Sequence, residues 1–209
     1  MKHLKMLGLA AVAAAALTVI FAAGSASATV LCKEYETPCP VASLYAAGLT
    51  VSAALEAGGS STLKITGGEA ITVCKSSTMS TKTKNAGGKG ELVEGEGSTL
   101  SLKECSATTT VITAGQFSIE YVPSQPTETR ANLWISSLGI SVNLFGVTCT
   151  YGGGKNYLGT MTSGAPAGLD VKTTLTKTAG GFVCPGDVTW EGNYKITAPE
   201  DLNFKEETK

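Results

Sequence analysis

Apolar and polar residues alternate over short stretches along most of the chain, the period of two that sends successive side chains to opposite faces of a β-strand. Leu49, Val51, Ala53 and Leu55 form one such set, Phe117, Ile119 and Tyr121 a second, and Leu169, Val171, Thr173 and Leu175 a third. The clearest places Val188, Trp190, Gly192, Tyr194 and Ile196 on one face and Thr189, Glu191, Asn193, Lys195 and Thr197 on the other. Further strands are predicted over residues 62–66, 70–75, 99–104, 109–113, 131–136, 140–145 and 157–162, with Pro and Gly punctuating the chain at the rhythm of a sandwich or barrel. Residues 40–47 alone resemble a helix, and they are short enough to be a loop. Residues 85–90 and 151–155 are glycine-rich and read as turns. The pattern predicts an all-β protein, a two-sheet sandwich stapled by disulfides, with a β-barrel as the alternative.

The start of the chain breaks the pattern. Lys2, His3 and Lys5 precede an apolar run from Met6 to Ala23, and Ala26-Ser27-Ala28 has the small residues of a cleavage site, so residues 1–28 read as a secretory signal peptide. That leaves residues 29–209 as one all-β domain. The sole histidine of the 209 residues, His3, goes with the signal. A Ser-His-Asp or Cys-His nucleophile, a histidine-ligated zinc and a haem attachment motif are thereby excluded from the mature chain. Loss of Lys2 and Lys5 leaves 14 basic against 17 acidic side chains, a formal charge of −3, and the only arginine is Arg130. Nucleic acid is not an expected partner, since phosphate neutralisation needs a clustered basic face. After the signal no segment approaches the roughly 20 apolar residues of a membrane-spanning helix. A lipid anchor on Cys32 is disfavoured by Leu31, which stands where lipoprotein signals carry a small residue. The expected location is secreted and extracellular, either released or retained at the cell envelope.

Six cysteines in an exported chain read as disulfides. Spacing favours the sequential scheme Cys32–Cys39, Cys74–Cys105 and Cys149–Cys184 among the 15 pairings that six allow. No Cys-x-x-Cys pair supports a redox or metal role. Ile71-Thr72-Val73-Cys74 and Gly146-Val147-Thr148-Cys149 look alike, and each leads through threonine-rich strands to a second cysteine. The domain reads either as one unit or as two related β-meander halves.

The order Cys32, Pro38-Cys39-Pro40, Tyr45-Ala46-Ala47-Gly48, Thr72-Val73-Cys74, Asn85-Ala86-Gly87-Gly88, Cys105, Thr148-Cys149-Thr150-Tyr151-Gly152, Leu158-Gly159-Thr160, Phe182-Val183-Cys184-Pro185, Trp190, Tyr194, Pro199 and Leu202 resembles a family of secreted actinobacterial β-rich, six-cysteine proteins with no established activity. The resemblance spans essentially the whole mature chain. It implies export, β content and paired cysteines, and it supplies no catalytic or binding residue. Asp201, Lys205, Glu206, Glu207 and Lys209 make a more charged tail than that family's short apolar finish, which leaves open whether the last residues pair with the sheet.

The motifs that recur in enzymes are weak here. Ser61 and Lys64 have Ser-x-x-Lys spacing, but a strand would send the two side chains to opposite faces. Gly152-Gly153-Gly154-Lys155 lacks the Ser or Thr and the following helix of a phosphate loop. Carboxylates could still hydrolyse a glycoside from about 5–10 Å apart, with Glu94, Glu96, Asp170, Asp187 and Glu191 as candidates. Glu94 and Glu96 fall in a loop-like acidic stretch, residues 90–97, where a solvated turn accounts for them. Trp190 lies on an apolar face and reads as core. Trp134 differs, because it shares its face with Asn132 and Ser136 while Leu133 and Ile135 take the other, which fits either an exposed ring suited to stacking on a sugar or a strand buried on both faces beside Leu138 and Ile140. The sequence thus points to a non-catalytic extracellular or cell-surface structural or interaction module. The alternatives are a carbohydrate-binding protein using Trp134, Asn132 and Ser136, and a carboxylate-based hydrolase. No cofactor or metal is implied, and the candidate partners are a polysaccharide or another envelope protein.

Overall fold

The computed structural model describes residues 28–36, 38–123 and 129–206. The predicted signal peptide, apart from Ala28, lies outside the described residues, as do Glu207 and Lys209 of the charged tail. The chain is all-β. Its strands are β1 (Thr29–Cys32), β2 (Thr50–Leu55), β3 (Ser61–Ile65), β4 (Ala70–Thr83), β5 (Val93–Cys105), β6 (Thr109–Val122), β7 (Arg130–Leu144), β8 (Val147–Thr162), β9 (Gly168–Ala179), β10 (Asp187–Ala198) and β11 (Asn203–Glu206). Residues 40–47 contain only a 3-10 turn, Val41–Ser43.

The sandwich expectation is corrected to its alternative, a closed barrel. From β4 to β10 every strand pairs antiparallel with its successor in sequence. The two short strands β2 and β3 then lie end to end between β10 and β4, with Tyr194 opposite Leu55 and Val188 opposite Ile65. They act as one interrupted strand and close an eight-strand barrel. Strands of 12 to 16 residues, each hydrogen-bonded to the next, curl as a single sheet, and closure removes the free edges that an open sheet would leave.

Alternation decides what lies inside. Val51, Leu63, Phe117, Ile119, Leu133, Ile135, Leu169, Val171, Leu175, Val188, Trp190 and Ile196 point inward and are buried in one continuous core. Asp170, Lys172, Glu191 and Lys195 point outward. An apolar interior beneath a charged exterior is the reverse of a membrane barrel, whose apolar band faces lipid. Among the described residues no helix is long and apolar enough to cross a membrane.

One end of the barrel is plugged. β1 and β11 pair into a two-stranded ribbon, Leu31 opposite Phe204, and both side chains are buried. The Tyr121 amide donates to Thr29 Oγ1 (2.8 Å), pinning the ribbon to β6. Single bridges, Val30 to Gly87 and Leu202 to Gly164, fasten it to the loops at that end. Gly87 has φ +77°, and a Cβ there would stand 1.8 Å from the Thr29 carbonyl oxygen, so the glycine lets the β4–β5 loop close on the ribbon. Residues 203–206 of the charged tail therefore do pair, with β1 rather than with the barrel.

All three disulfides form as the spacing predicts, and no free cysteine remains among the described residues. Cys32–Cys39 closes the turn after β1, which leaves no Cys32 thiol for a lipid. Cys74–Cys105 joins facing residues of β4 and β5. Cys149–Cys184 ties β8 to the β9–β10 loop at the end opposite the plug. Three disulfides mark a protein of an oxidising, extracellular kind of environment.

Candidate functional site

Trp134 stands on the outer wall with Asn132 and Ser136, half-buried, while Leu133 and Ile135 enter the core. Strand register builds a row through it across four strands. Glu94 of β5 faces Ser118 of β6, Ser118 faces Trp134 of β7, and Trp134 faces Tyr157 of β8. A flanking row runs Gln116, Ser136, Lys155, and another runs Glu120, Asn132, Thr160. Outward parity and antiparallel pairing thus bring ten side chains from distant sequence positions onto one patch.

The indole is held from several sides. Its Nε1–H donates to Glu120 Oε2 at 2.8 Å. Tyr157 meets it edge-on, with ring centroids 5.7 Å apart and planes at 77°. The Lys155 ammonium lies 5.2 Å from the ring centroid, within cation–π range. Beside this aromatic pair is a cleft of about 240 Å³ lined by Lys84, Glu94, Gln116, Ser118, Ser136 and Lys155 together with Leu92, Gly95 and Phe117. It exists because β5 and β6 are hydrogen-bonded only at Val93 and Glu94, after which the two strands part. Lys84 Nζ reaches Glu94 Oε2 at 3.2 Å, so the cleft offers both signs of charge with donors and acceptors.

Of the residues singled out from sequence, Trp134 and Ser136 border or line this region, whereas Asn132 lies a row beyond Trp134, outside the cleft. Glu120, Tyr157, Lys84 and Gln116 carried no sequence signal, and Lys155 stood out only in a glycine run read as a turn. Two expectations are corrected. Residues 151–155 are not a turn but part of β8, where the ladder to β9 jumps from Gly152–Thr176 to Gly159–Val171 and the intervening residues swing Lys155 and Tyr157 outward. Glu94 and Glu96 lie on β5, not in a loop, and Glu94 alone lines the cleft.

The remaining carboxylates are placed separately. Asp170 and Glu191 border an open groove of about 710 Å³ beneath residues 56–60, the link between β2 and β3. Glu191 faces Lys172 and ion-pairs with Lys64 at 2.6 Å, and Asp170 faces Asn193 one step along. Diagonal pairs of this kind are separated by about 7–8 Å. No aromatic residue lines the groove. Asp187 lies at the start of β10, outside this groove. Ser61 is buried and Lys64 is outside, as strand geometry requires of the Ser-x-x-Lys spacing. Among the described residues no His, Cys, Asp or Glu cluster could hold a metal ion. Comparison with known proteins found no matching family model, curated protein or solved structure.

Proposed function

We propose that this chain is a non-catalytic extracellular binding module whose ligand is a saccharide received on the Trp134 face. The observation that carries the reading is an indole fixed in place by Glu120 and Tyr157 beside a polar cleft. A sugar presents an apolar C–H face to an aromatic ring and hydroxyls at its edge, and Glu94, Gln116, Ser118, Ser136 and Lys155 are spaced to meet such an edge. An aromatic already immobilised loses little conformational freedom on binding. Lys155 sits over part of the ring and would slide aside or hydrogen-bond a hydroxyl. The Asp170–Glu191 groove supports a hydrolase less well, because it lacks an aromatic platform and Lys64 neutralises Glu191. Without histidine, the mature chain is also short of the commonest general base.

Retention of the purified protein on insoluble cell-wall and plant polysaccharides tests the reading. Trp134→Ala should weaken retention by roughly tenfold or more, as expected for loss of about 1.5–3 kcal/mol of aromatic contact. Only two tryptophans are present, and Trp190 is sealed in the core, so a saccharide-dependent fluorescence change should vanish in the same variant. Undiminished retention of Trp134→Ala would sink the proposal.

A further inference from the structure

The end of the barrel opposite the β1–β11 plug carries an unusual set of side chains. Of the eight large hydrophobic residues that stand exposed among the described residues, five are at this end: Ile65, Ile112, Phe145, Phe182 and Val183. Phe145 and Phe182 are fully solvated, at 101% and 98% relative exposure. They sit on neighbouring tips. Phe145 is in the β7–β8 hairpin turn, and Phe182 is in the β9–β10 loop, which Cys149–Cys184 fastens against β8. A Cβ on Gly181 would touch Val147 at 3.7 Å, so the loop lies directly along that hairpin.

The backbone does not favour the phenylalanine. Phe145 and Gly146 form the two-residue turn with φ +51° and +83°, the left-handed pair that Asn-Gly fills without strain and an aromatic residue fills poorly. A strained aromatic residue that packs on nothing is neither a turn device nor a core residue. Charge is missing as well. No Asp, Glu, Lys or Arg occurs over residues 131–154 or 178–186, the two segments that carry the phenylalanines. The Lys177 ammonium is turned onto the Cys184 carbonyl at 3.2 Å, and other charges at this end, Glu69, Lys103 and Glu104, lie on other hairpins.

From these features we infer that the two tips dock the protein on a lipid bilayer, with Phe145 and Phe182 entering the interfacial region. Protruding single side chains on convex tips suit a deformable bilayer, which needs no shaped pocket, and two tip segments without charged side chains of their own can enter the headgroup region at little desolvation cost. The absence of a basic cluster on the two tips predicts zwitterionic lipid as a sufficient target. This surface is separate from the Trp134 face, so docking would leave that face open to solvent.

Co-sedimentation of the exported, disulfide-bonded protein with phosphatidylcholine vesicles provides the test. The native protein should partition to the vesicles, and the Phe145→Asn, Phe182→Ser double variant should do so roughly a hundredfold less, about tenfold per phenylalanine. Both proteins share the same N-terminus, so the difference reports on the tips alone. Phe145→Asn by itself should raise the thermal midpoint, showing that lost partitioning is not lost folding. Binding should hold between about 0.1 M and about 0.5 M salt, as it would not for an electrostatic contact. Failure of the native protein to sediment, equal sedimentation of the double variant, or dependence on anionic lipid would overturn the inference. So would a native dimer that ignores vesicles and becomes monomeric in the double variant, since the tips would then join two copies of the chain.

Discussion

Two tyrosines inside the barrel show how little a sequence says about satisfaction of a buried polar atom. Tyr194 and Tyr151 both sit at inward positions, and both are buried. The Tyr194 hydroxyl lies 3.1 Å from Ser61 Oγ and 2.9 Å from Ser77 Oγ, and the Trp190 indole N–H donates to the same Ser61 at 2.8 Å. The Tyr151 hydroxyl has no hydrogen-bond partner among the described residues. Removing a satisfied group and an orphaned one should therefore have opposite signs. Tyr194→Phe is expected to destabilise by about 1 kcal/mol, and Tyr151→Phe to be neutral or stabilising by about 1 kcal/mol, measured by urea unfolding. Alternation alone put Trp190 and Tyr194 in the core, but Ser61, their shared acceptor, comes from a strand far away in sequence. Lys205 is a similar case. The sequence shows it in a charged tail, whereas the ribbon buries it with Nζ 2.7 Å from the Tyr35 carbonyl and over the Tyr35 ring.

Among the elements, β8 departs furthest from its sequence reading. Glycine runs usually mark turns, and residues 151–155 were expected to be one. In the folded chain Gly152 has φ +144°, and a Cβ there would stand 1.9 Å from the Leu138 carbonyl oxygen. The glycines thus serve close approach of β8 to β7 and an irregular ladder to β9 within one long strand. Gly152→Ala should destabilise by about 2–4 kcal/mol in urea unfolding, through backbone collision and strain together. Because the same irregularity presents Lys155 and Tyr157 to Trp134, that variant should also lose saccharide retention. The β7 strand fails in a milder way. Residues 131–136 and 140–145 were expected as separate strands, yet Arg130–Leu144 is continuous, since pairing to β6 and β8 on both sides carries the ladder past Ser137 and Gly139. The inward and outward faces of β9 and β10 were legible throughout, because neither strand contains an irregularity in its pairing with the other.

At the scale of the whole molecule the ionisable groups with displaced pKa values among the described residues are tyrosines and one lysine. Burial raises the pKa of Tyr45, Tyr121, Tyr151 and Tyr194 above 10.0, with Asp201 adding to Tyr45 and Glu206 to Tyr121. Above pH 10 the unfolded chain gives up these protons while the folded chain keeps them, so stability should fall as pH rises past that value. Burial lowers the Lys205 pKa, which acts the other way: below 10.5 the unfolded chain binds the extra proton, and that penalty eases as pH approaches 10.5. Four groups against one should give a net alkaline loss. A thermal midpoint that declines above about pH 10, with tyrosine absorbance titrating late in the folded protein, would bear this out.

The sequence by itself determined the β class, the face on which each residue of a regular strand lies, the three disulfide pairs and the sharing of one strand face by Trp134, Asn132 and Ser136. Each follows from local periodicity or spacing, quantities that a single strand or loop expresses without reference to the rest. Only the tertiary structure decided that the sheet closes, since closure is a pairing of β10 with β2 and β3 across well over a hundred residues. It alone joined Trp134 to Glu120, Tyr157 and the cleft, and gathered Phe145 and Phe182 on one end. Partners on neighbouring strands are fixed by register, and register here depends on irregularities and closure that a period of two does not record.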